Sequence, residues 1–202
     1  MLENKRLMKS NINIIVKYGL ILGLVFVVLS VLIYVFNLIT ISFWAGTIIG
    51  VANLALLIAG LIIAGKHYRK NYGGGYIRYM GVFKVLILVV LISSLVSTAY
   101  SLLFSTVIDP GYEQRVKLEI AQKTAEYMAN QNVPEAQIDK MIDNMTKPSE
   151  DSMLSKMLWS FLGSVLFGVI VSAIVSIFVK KNPPLFEQNA ETAVSNIEEP
   201  QQ

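Results

Sequence analysis

The sequence contains no cysteine and a single histidine, and these absences remove several classes of chemistry. Without cysteine the chain has no disulfide, no thiolate metal ligand and no cysteine nucleophile. The lone His67 has neither a carboxylate nor a second imidazole beside it in the sequence. We therefore predict no metal site and no cofactor.

Charge is also scarce: 15% of the residues are charged, against about 25% in ordinary globular domains. Residues 18–65, 85–108 and 157–179 contain no Asp, Glu, Lys or Arg. Because a bilayer core of about 30 Å needs about 20 apolar residues per helix, the first segment accommodates two transmembrane helices and the others one each. We predict an all-α, polytopic membrane protein with four spans, at residues 18–36, 42–65, 85–107 and 157–179.

The predicted spans contain no proline and no deeply placed ionisable residue. Intramembrane charges usually mark ion pathways and proton relays, and broken helices often mark transporter sites. The spans also carry no paired aspartates and no zinc motif for hydrolysis. We therefore expect a protein that is not an enzyme and not a proton-coupled carrier.

The sizeable polar insert, residues 109–156, is predicted to form a helical hairpin. Asp109 suits the N-cap and Pro110 the first turn of a helix that runs to about residue 130. A second helix starts near Pro134 and has an apolar stripe at helical spacing. The stripe residues are candidate contacts with a partner, or they close on Leu118 and Met128 of the first helix. They are Ile138, Met141, Ile142 and Met145.

The positive charges predict how the chain threads the membrane, because short loops rich in Lys and Arg stay in the cytoplasm. Eleven of the 17 cations lie in the leader, in residues 66–84 or directly after the last span. Both termini are therefore expected inside. The predicted segments are a cytoplasmic basic leader (1–17), spans 1–3 with a cytoplasmic loop at 66–84 (18–108), an outer hairpin (109–156), span 4 (157–179) and a disordered cytoplasmic tail (180–202).

The segment "KHYRKNYGGGYIRYMGVFK", residues 66–84, is interpreted as an anchor at the membrane surface. Cations there attract anionic lipid headgroups. A phosphate-binding loop is disfavoured because the GxxxxGK[ST] pattern is absent and no strand precedes it. A net charge of +3 is too small to predict nucleic-acid binding. The anchoring residues are Lys66, Arg69, Lys70, Arg78 and Lys84.

Small residues recur at four-residue spacing in two of the spans, a pattern that permits close helix packing in lipid. The same faces serve packing within one bundle or self-association into a homo-oligomer, and the sequence leaves both open. The predicted helix-packing residues are Gly46, Gly50, Ser164, Gly168, Ser172 and Ser176.

With these segments placed, the chain resembles a bacterial membrane-protein family catalogued as domain of unknown function 4199. The resemblance is carried by "VKYGLILGLV", "YRKNYGGGYIRYMGVFKV", "STVIDPGYEQ" and "NVPEAQIDKMIDNM" and covers most of residues 12–180. The family is typical of Gram-negative bacteria. It implies an inner-membrane location and a periplasmic insert, and it implies no activity, cofactor or functional residue.

Three functional hypotheses follow from the sequence. The first is a non-enzymatic interaction or assembly protein that presents the hairpin to an envelope protein. The second is a subunit of a small-molecule transporter or channel, with a path lined by Asn53, Ser97, Thr98 and Ser101. The third is an anionic-lipid binder or lipid-modifying protein that acts through residues 66–79.

Overall fold

Six α-helices make up most of the described chain. The computed structural model describes residues 2–42, 44–72, 74–147 and 152–182, and of residues 2–11 and Thr40 only the backbone. The tail from residue 183 onward, predicted to be disordered, lies outside the described residues. The helices are α1 (Leu2–Val35), α2 (Ala45–Tyr72), α3 (Tyr79–Leu103), α4 (Tyr112–Asn130), α5 (Glu135–Thr146) and α6 (Met153–Val179).

Four of these helices are long and apolar enough to cross a membrane, which confirms the predicted all-α membrane fold. The apolar segments are Ile12–Val35, Ala45–Tyr72, Tyr79–Ile108 and Met153–Val179. Their mean hydropathy lies between 2.4 and 2.6. Large apolar side chains such as Leu24, Ile48 and Phe178 point outward and are more than half exposed, as expected for helices whose surroundings are hydrocarbon.

The helices extend further at their charged ends than the sequence suggested. Most of the segment 66–84, predicted to be a loop, is helical, since α2 continues to Tyr72 and α3 begins at Tyr79. Polar residues with good helix propensity, such as Arg69 and Lys70, continue a helix as readily as they end it. The turn between α2 and α3 therefore spans only about six residues, with Gly74 and Gly75 at φ +57° and +92°.

Helix α3 is the centre of the bundle, because it packs against α1, α2 and α6. One face of α3 is almost completely buried, and Val82, Leu86, Val89 and Val90 are each at most 2% exposed. This burial follows from the apolar composition of the segment "VLILVVLISSLV", because it contains no strongly polar side chain that would have to stay outside the helix contact.

Glycines bring the neighbouring helices against α3. A Cβ atom built on Gly19 would lie 2.6 Å from Cβ of Ile92, and one on Gly23 would lie 2.7 Å from Cβ of Val96. On the other side, a Cβ on Gly168 of α6 would lie 2.4 Å from Cγ1 of Val90. Removing the side chain allows backbones to approach, which is the main source of helix association in lipid.

The charged end of the bundle is closed by hydrogen bonds between α2, the turn and α6. Arg69 donates to the carbonyl of Val179 over 2.8 Å, one of the terminal carbonyls that a helix leaves unpaired. Ile77 and Lys181 exchange two backbone hydrogen bonds of 2.8 and 3.0 Å. The Lys181 ammonium lies 5.3 Å from the ring centre of Tyr76. The turn and the end of α6 are therefore one connected unit.

The opposite end of the bundle is built around a π-helical turn, Phe104–Ile108, that joins α3 to α4. The rings of Tyr34, Phe104 and Tyr112 meet edge to face with centroids 5.0 to 5.4 Å apart. Asp109 accepts a hydrogen bond from the Tyr34 hydroxyl and forms an ion pair with Arg115. The predicted N-cap role of Asp109 was wrong: Gly111 occupies the N-cap position, because the Asp109 carboxylate is engaged by these two side chains.

The close contact at Gly168 generates a stability prediction with a control on the same helix. Gly168→Ala should lower the free energy of unfolding by about 1–3 kcal/mol, because the methyl group collides with the buried Val90. Gly163→Ala should leave it unchanged or raise it, since nothing lies within 4 Å of that position. Thermal unfolding in detergent, followed by circular dichroism, measures both. Equal melting temperatures for the two variants would contradict the α3–α6 contact.

Candidate functional site

A cleft of about 970 Å³ lies beneath the start of α4, between α3 and α6. We call it the hydroxyl-lined cleft. Its wall combines hydroxyl groups on the two membrane-spanning helices with charged groups at the hairpin end. The lining residues are Ser97, Thr98, Ser101, Ser105, Pro110, Glu113, Gln114, Lys117, Leu118, Thr146, Lys147, Met153, Lys156, Met157, Ser160 and Ser164.

The periodicity of α3 and α6 places the hydroxyl groups on facing surfaces. Ser97, Ser101 and Ser105 recur every fourth residue, and Ser160 and Ser164 repeat the same interval on α6. Deeper in the bundle the two helices touch at Val90 and Gly168. The cleft therefore begins where that glycine contact ends, about two turns after Val90 on α3 and one turn before Gly168 on α6.

Several of these hydroxyl groups have no hydrogen-bond partner among the residues that the structure describes. Ser105 and Ser164 donate to carbonyls of their own helices, at 3.2 and 2.8 Å. Ser97, Thr98 and Ser101 make no hydrogen bond to any residue that the structure describes. Leaving a hydroxyl unpaired in an apolar medium is unfavourable, so these groups favour water or a polar ligand in the cleft.

The mouth of the cleft carries more positive than negative charge among its described lining residues. Lys117, Lys147 and Lys156 line it together with a single acid, Glu113. The Lys117 ammonium lies 2.6 Å from the Glu113 carboxylate. This hydrogen bond, helped by the charges of Lys117 and Lys156, holds the pKa of Glu113 below its ordinary value. Glu113 is thus ionised at neutral pH, and the mouth keeps an excess of two positive charges.

A second cavity, of about 440 Å³, continues from the cleft toward the middle of the bundle. Ser97 and Ser164 line both cavities, so the two are contiguous. We call the second the apolar groove, since hydrocarbon side chains form most of its wall. Its lining residues are Phe26, Thr47, Gly50, Val51, Asn53, Leu54, Leu57, Val90, Ser93, Ser94, Ser97, Ser164, Phe167 and Gly168.

The four residues predicted to line a transporter path lie in the two cavities, and their role in transport stays a prediction. Ser97, Thr98 and Ser101 line the cleft, and Asn53 lies in the groove. The Asn53 amide donates over 2.9 Å to the carbonyl of Ile49 on its own helix, so it does not bridge to a neighbouring helix as a buried asparagine often does. The amide oxygen of Asn53 accepts no hydrogen bond from any residue that the structure describes.

The predicted helix-packing residues divide between the interior and the surface of the bundle. Gly168, Ser172 and Ser176 are buried, and Ser176 donates to the Ser172 carbonyl over 2.6 Å. In contrast, Gly46 and Gly50 have no atom within 4 Å of a built Cβ, and Ser164 is exposed at the cleft. Close packing at the two α2 glycines therefore does not occur within this chain.

The predicted surface anchors lie at the end of the bundle that is opposite the cleft. Lys66, Lys70, Arg78 and Lys84 are exposed. Arg69 is half-buried, because its guanidinium caps the end of α6. Contact of the four exposed residues with lipid headgroups stays a prediction, whereas Arg69 has a partner inside the protein.

The apolar stripe of α5 is turned toward the sister helix rather than fully outward. Ile138 is 8% exposed, and Met141, Ile142 and Met145 are half-buried. Helix α5 packs against α4, where Ala121 is 1% exposed. Leu118, predicted to share this contact, is instead 50% exposed and lines the cleft. Contact of the stripe with a partner stays a prediction.

The charged mouth of the cleft was not identified from the sequence, because its members come from distant segments. Glu113 and Lys117 are one turn apart on α4, and that spacing alone indicates an ordinary helix-surface ion pair. Lys156 was assigned to the boundary of span 4. What could have drawn attention to the cleft is the serine periodicity shared by α3 and α6.

The chemistry of the cleft is suited to the binding of an anionic group. It offers cations and hydroxyl groups, which together hold anionic groups by charge and hydrogen bonds. No cluster of three or more metal-ligating side chains occurs among the residues that the structure describes. The cleft has one carboxylate, which is already paired with a lysine.

The hydration of the cleft can be measured with single-cysteine variants, since the native chain has no cysteine. Ser160→Cys should react with a small water-soluble maleimide, because thiolate forms only in contact with water. Leu158→Cys is the control: it lies half a turn away on α6, is 55% exposed, and does not line the cleft. We expect at least tenfold slower labelling there. Equal rates at the two positions would show that the cleft is not an aqueous compartment.

Comparison with known proteins identifies a family but no characterised relative. A family model described as "Protein of unknown function (DUF4199)" matches residues 17–181. The matched region contains the four membrane-spanning helices almost entirely, and all of the hairpin. No curated protein and no solved structure matches the chain.

Proposed function

The chain belongs to the DUF4199 family, and we propose that it is a non-enzymatic interaction or assembly protein of the bacterial inner membrane. In this proposal the α4–α5 hairpin is presented on the periplasmic side. The proposal rests on the segregation of the molecule into two ends with different chemistry. One end carries cations and the short turn between α2 and α3. The other end carries the polar α4–α5 hairpin, which is attached to the bundle by specific contacts.

The ends of four helices converge at the cationic end, which supports an orientation with both termini inside. The ring of Tyr18, near the start of the apolar part of α1, lies 5.4 Å from the ring of His67 on α2. The end of α6 pairs with the α2–α3 turn through Lys181 and Ile77. In this proposal the basic residues of 66–84, the start of the apolar part of α1 and the end of α6 share one side, and the positive-inside rule favours the cytoplasm for that side.

The attachment of the hairpin is the observation that carries the interaction proposal. Helix α4 is held to the bundle by the Tyr34–Asp109–Arg115 contacts at its start and by a ring contact of 6.2 Å between Trp44 and Tyr127 near its end. Helix α5 packs against α4 and makes no comparably extensive contact with another described element. A rigidly attached helix with a free outer face is suited to present a surface to another molecule.

The outer face of α5 consists of exposed polar residues, so a partner would meet polar groups first. Gln137, Asp139, Lys140, Asp143 and Asn144 are all exposed. Met141 and Met145 are half-buried, and methionine adapts well to a second surface. In this proposal Ile138 and Ile142 hold the hairpin together, and the two methionines also contact the partner.

A second candidate function, a subunit of a small-molecule transporter or channel, is favoured by the hydroxyl-lined cleft. Ser97, Thr98 and Ser101 line it as a path would require. Solute flux through proteoliposomes discriminates this function from the first. The third hypothesis, lipid recognition by residues 66–79, has less support, because Arg69 is already engaged by α6.

The proposed orientation can be tested by cysteine labelling in intact spheroplasts. Lys140→Cys on the exposed face of α5 should react with a membrane-impermeant maleimide before lysis. Asn71→Cys, exposed at the opposite end of α2, should react only after permeabilisation. Labelling of position 71, but not of position 140, in intact spheroplasts would mean that the chain threads the membrane in the opposite direction.

Site-specific photocrosslinking in native membranes tests the interaction proposal. A photoreactive residue at Asn144 should give a discrete adduct, identified by mass spectrometry, because this position lies on the outer face of α5. The matched control is the same residue at Asn71. Met141→Asp should reduce the Asn144 adduct at least fivefold while thermal unfolding of the bundle is unchanged. Finding no adduct at Asp139, Lys140 and Asn144 alike would overturn the proposal.

A further inference from the structure

We propose that the hydroxyl-lined cleft and the apolar groove together form one binding site for an amphiphile that has an anionic headgroup and a hydrocarbon tail. A membrane phospholipid of the anionic type fits this description. The site is separate from the outer face of α5 and from the cationic segment 66–84. The proposal does not depend on the hairpin binding another protein.

The headgroup end of the site is defined by charge. Lys147 comes from the end of α5 and Lys156 from the first turns of α6, and both line the mouth beside the paired Glu113 and Lys117. The excess of positive charge comes from the end of α5 and the start of α6, whereas a solvated helix face would draw it from a single helix. An anionic group at this position gains roughly 1 kcal/mol per nearby cation, which is about fivefold in affinity for each lysine.

The hydroxyl groups below the mouth provide the next layer of contacts. Ser97, Thr98 and Ser101 have no hydrogen-bond partner among the described residues. Ester and phosphate oxygens of a lipid are acceptors that these donors can satisfy. The hydroxyl groups thus lie at the depth where a lipid changes from polar headgroup to hydrocarbon.

The groove beyond Ser97 and Ser164 is suited to a hydrocarbon chain. Its wall includes Phe26, Leu54, Leu57 and Phe167. Along α3, the two cavities extend from Ser105 to Val90, a rise of roughly 22 Å at 1.5 Å per residue. One leaflet contributes about half of a hydrocarbon core of about 30 Å. The combined site is therefore long enough for a headgroup region followed by much of an acyl chain.

The glycines of α2 leave the groove accessible from the side. Near the cationic end, Gly65 of α2 lies against Val179 of α6, 2.9 Å from a built Cβ. At the hairpin end of the same helix, Gly46 and Gly50 have nothing within 4 Å, and Gly50 lines the groove. The two helices are thus in contact at one end and leave space at the other, so a tail can enter from the leaflet that adjoins the hairpin.

Lipid exchange on the purified full-length protein tests the headgroup part of the proposal. The protein is equilibrated with vesicles of phosphatidylcholine containing a tenth of phosphatidylglycerol, and native mass spectrometry quantifies the retained lipid. We expect one phosphatidylglycerol per chain, retained at least tenfold over phosphatidylcholine. The double variant Lys147→Gln, Lys156→Gln should abolish that preference, because two lysines at about fivefold each contribute about 25-fold in affinity. It leaves the Glu113–Lys117 pair intact.

The matched control is the double variant Lys66→Gln, Lys70→Gln, which removes the same charge at the opposite end of the bundle. It should retain phosphatidylglycerol as the native chain does. Equal loss in the two double variants would indicate lipid held by general surface charge and would overturn the proposal. So would equal retention of the two lipids by the native chain.

A second pair of variants tests the tail part of the site. Gly50→Leu fills the groove and should reduce phosphatidylglycerol retention at least fivefold, while Gly46→Leu, one turn away on the same helix and absent from the groove wall, should not. Unchanged thermal unfolding of both variants shows that the bundle is intact.

Glycerol phosphate added in excess serves as a headgroup without a tail. If it displaces the lipid from the native chain completely, or if Gly50→Leu retains the lipid fully, the groove does not hold a tail and the proposal fails.

Discussion

The absence of water from a bilayer core is the constraint on which the rest of this structure depends. Each backbone N–H and C=O group there must be paired inside the protein, and the apolar segments of this chain meet that requirement as helices. Since lipid and protein are equally apolar, helices associate through close packing. Gly19 and Gly23 of α1 and Gly168 of α6 meet this requirement, and so these two helices pack closely against α3.

The same constraint explains why the two ends of the bundle differ. Close packing is concentrated near the cationic end, where Arg69, Ile77 and Lys181 also connect α2, the turn and α6. Toward the hairpin the glycine contacts end, and the helices are held by the π-turn and by aromatic rings around Tyr34. The cleft and the groove lie in this second half, because that is where close helix contact stops.

Much of the fold could be predicted from the sequence, because charge-free segments and cation bias act over whole helices. The site could not, and particular residues show why. Glu113 and Lys156 approach one another only after α4 and α6 are placed, and nothing near either residue indicates it. Gly46 and Gly168 have the same sequence signature of small residues at four-residue spacing. A Cβ atom built on Gly46 would nevertheless face open space, whereas one built on Gly168 would collide with Val90. Periodicity identifies a face of a helix and does not identify what lies opposite.

The distribution of serine shows most clearly how packing and binding are related in this bundle. On α6, Ser172 and Ser176 are fully buried, and the small side chain permits close contact there. One and two turns before Gly168, Ser164 and Ser160 lie at the cleft, and the same residue type exposes a hydroxyl to it. A single four-residue repeat thus serves packing where a neighbouring helix is close and polar lining where it is not. The facing residues of α3 decide which of the two occurs. Val90 fills the space against Gly168, whereas Ser97 and Ser101 leave the cleft open between the helices.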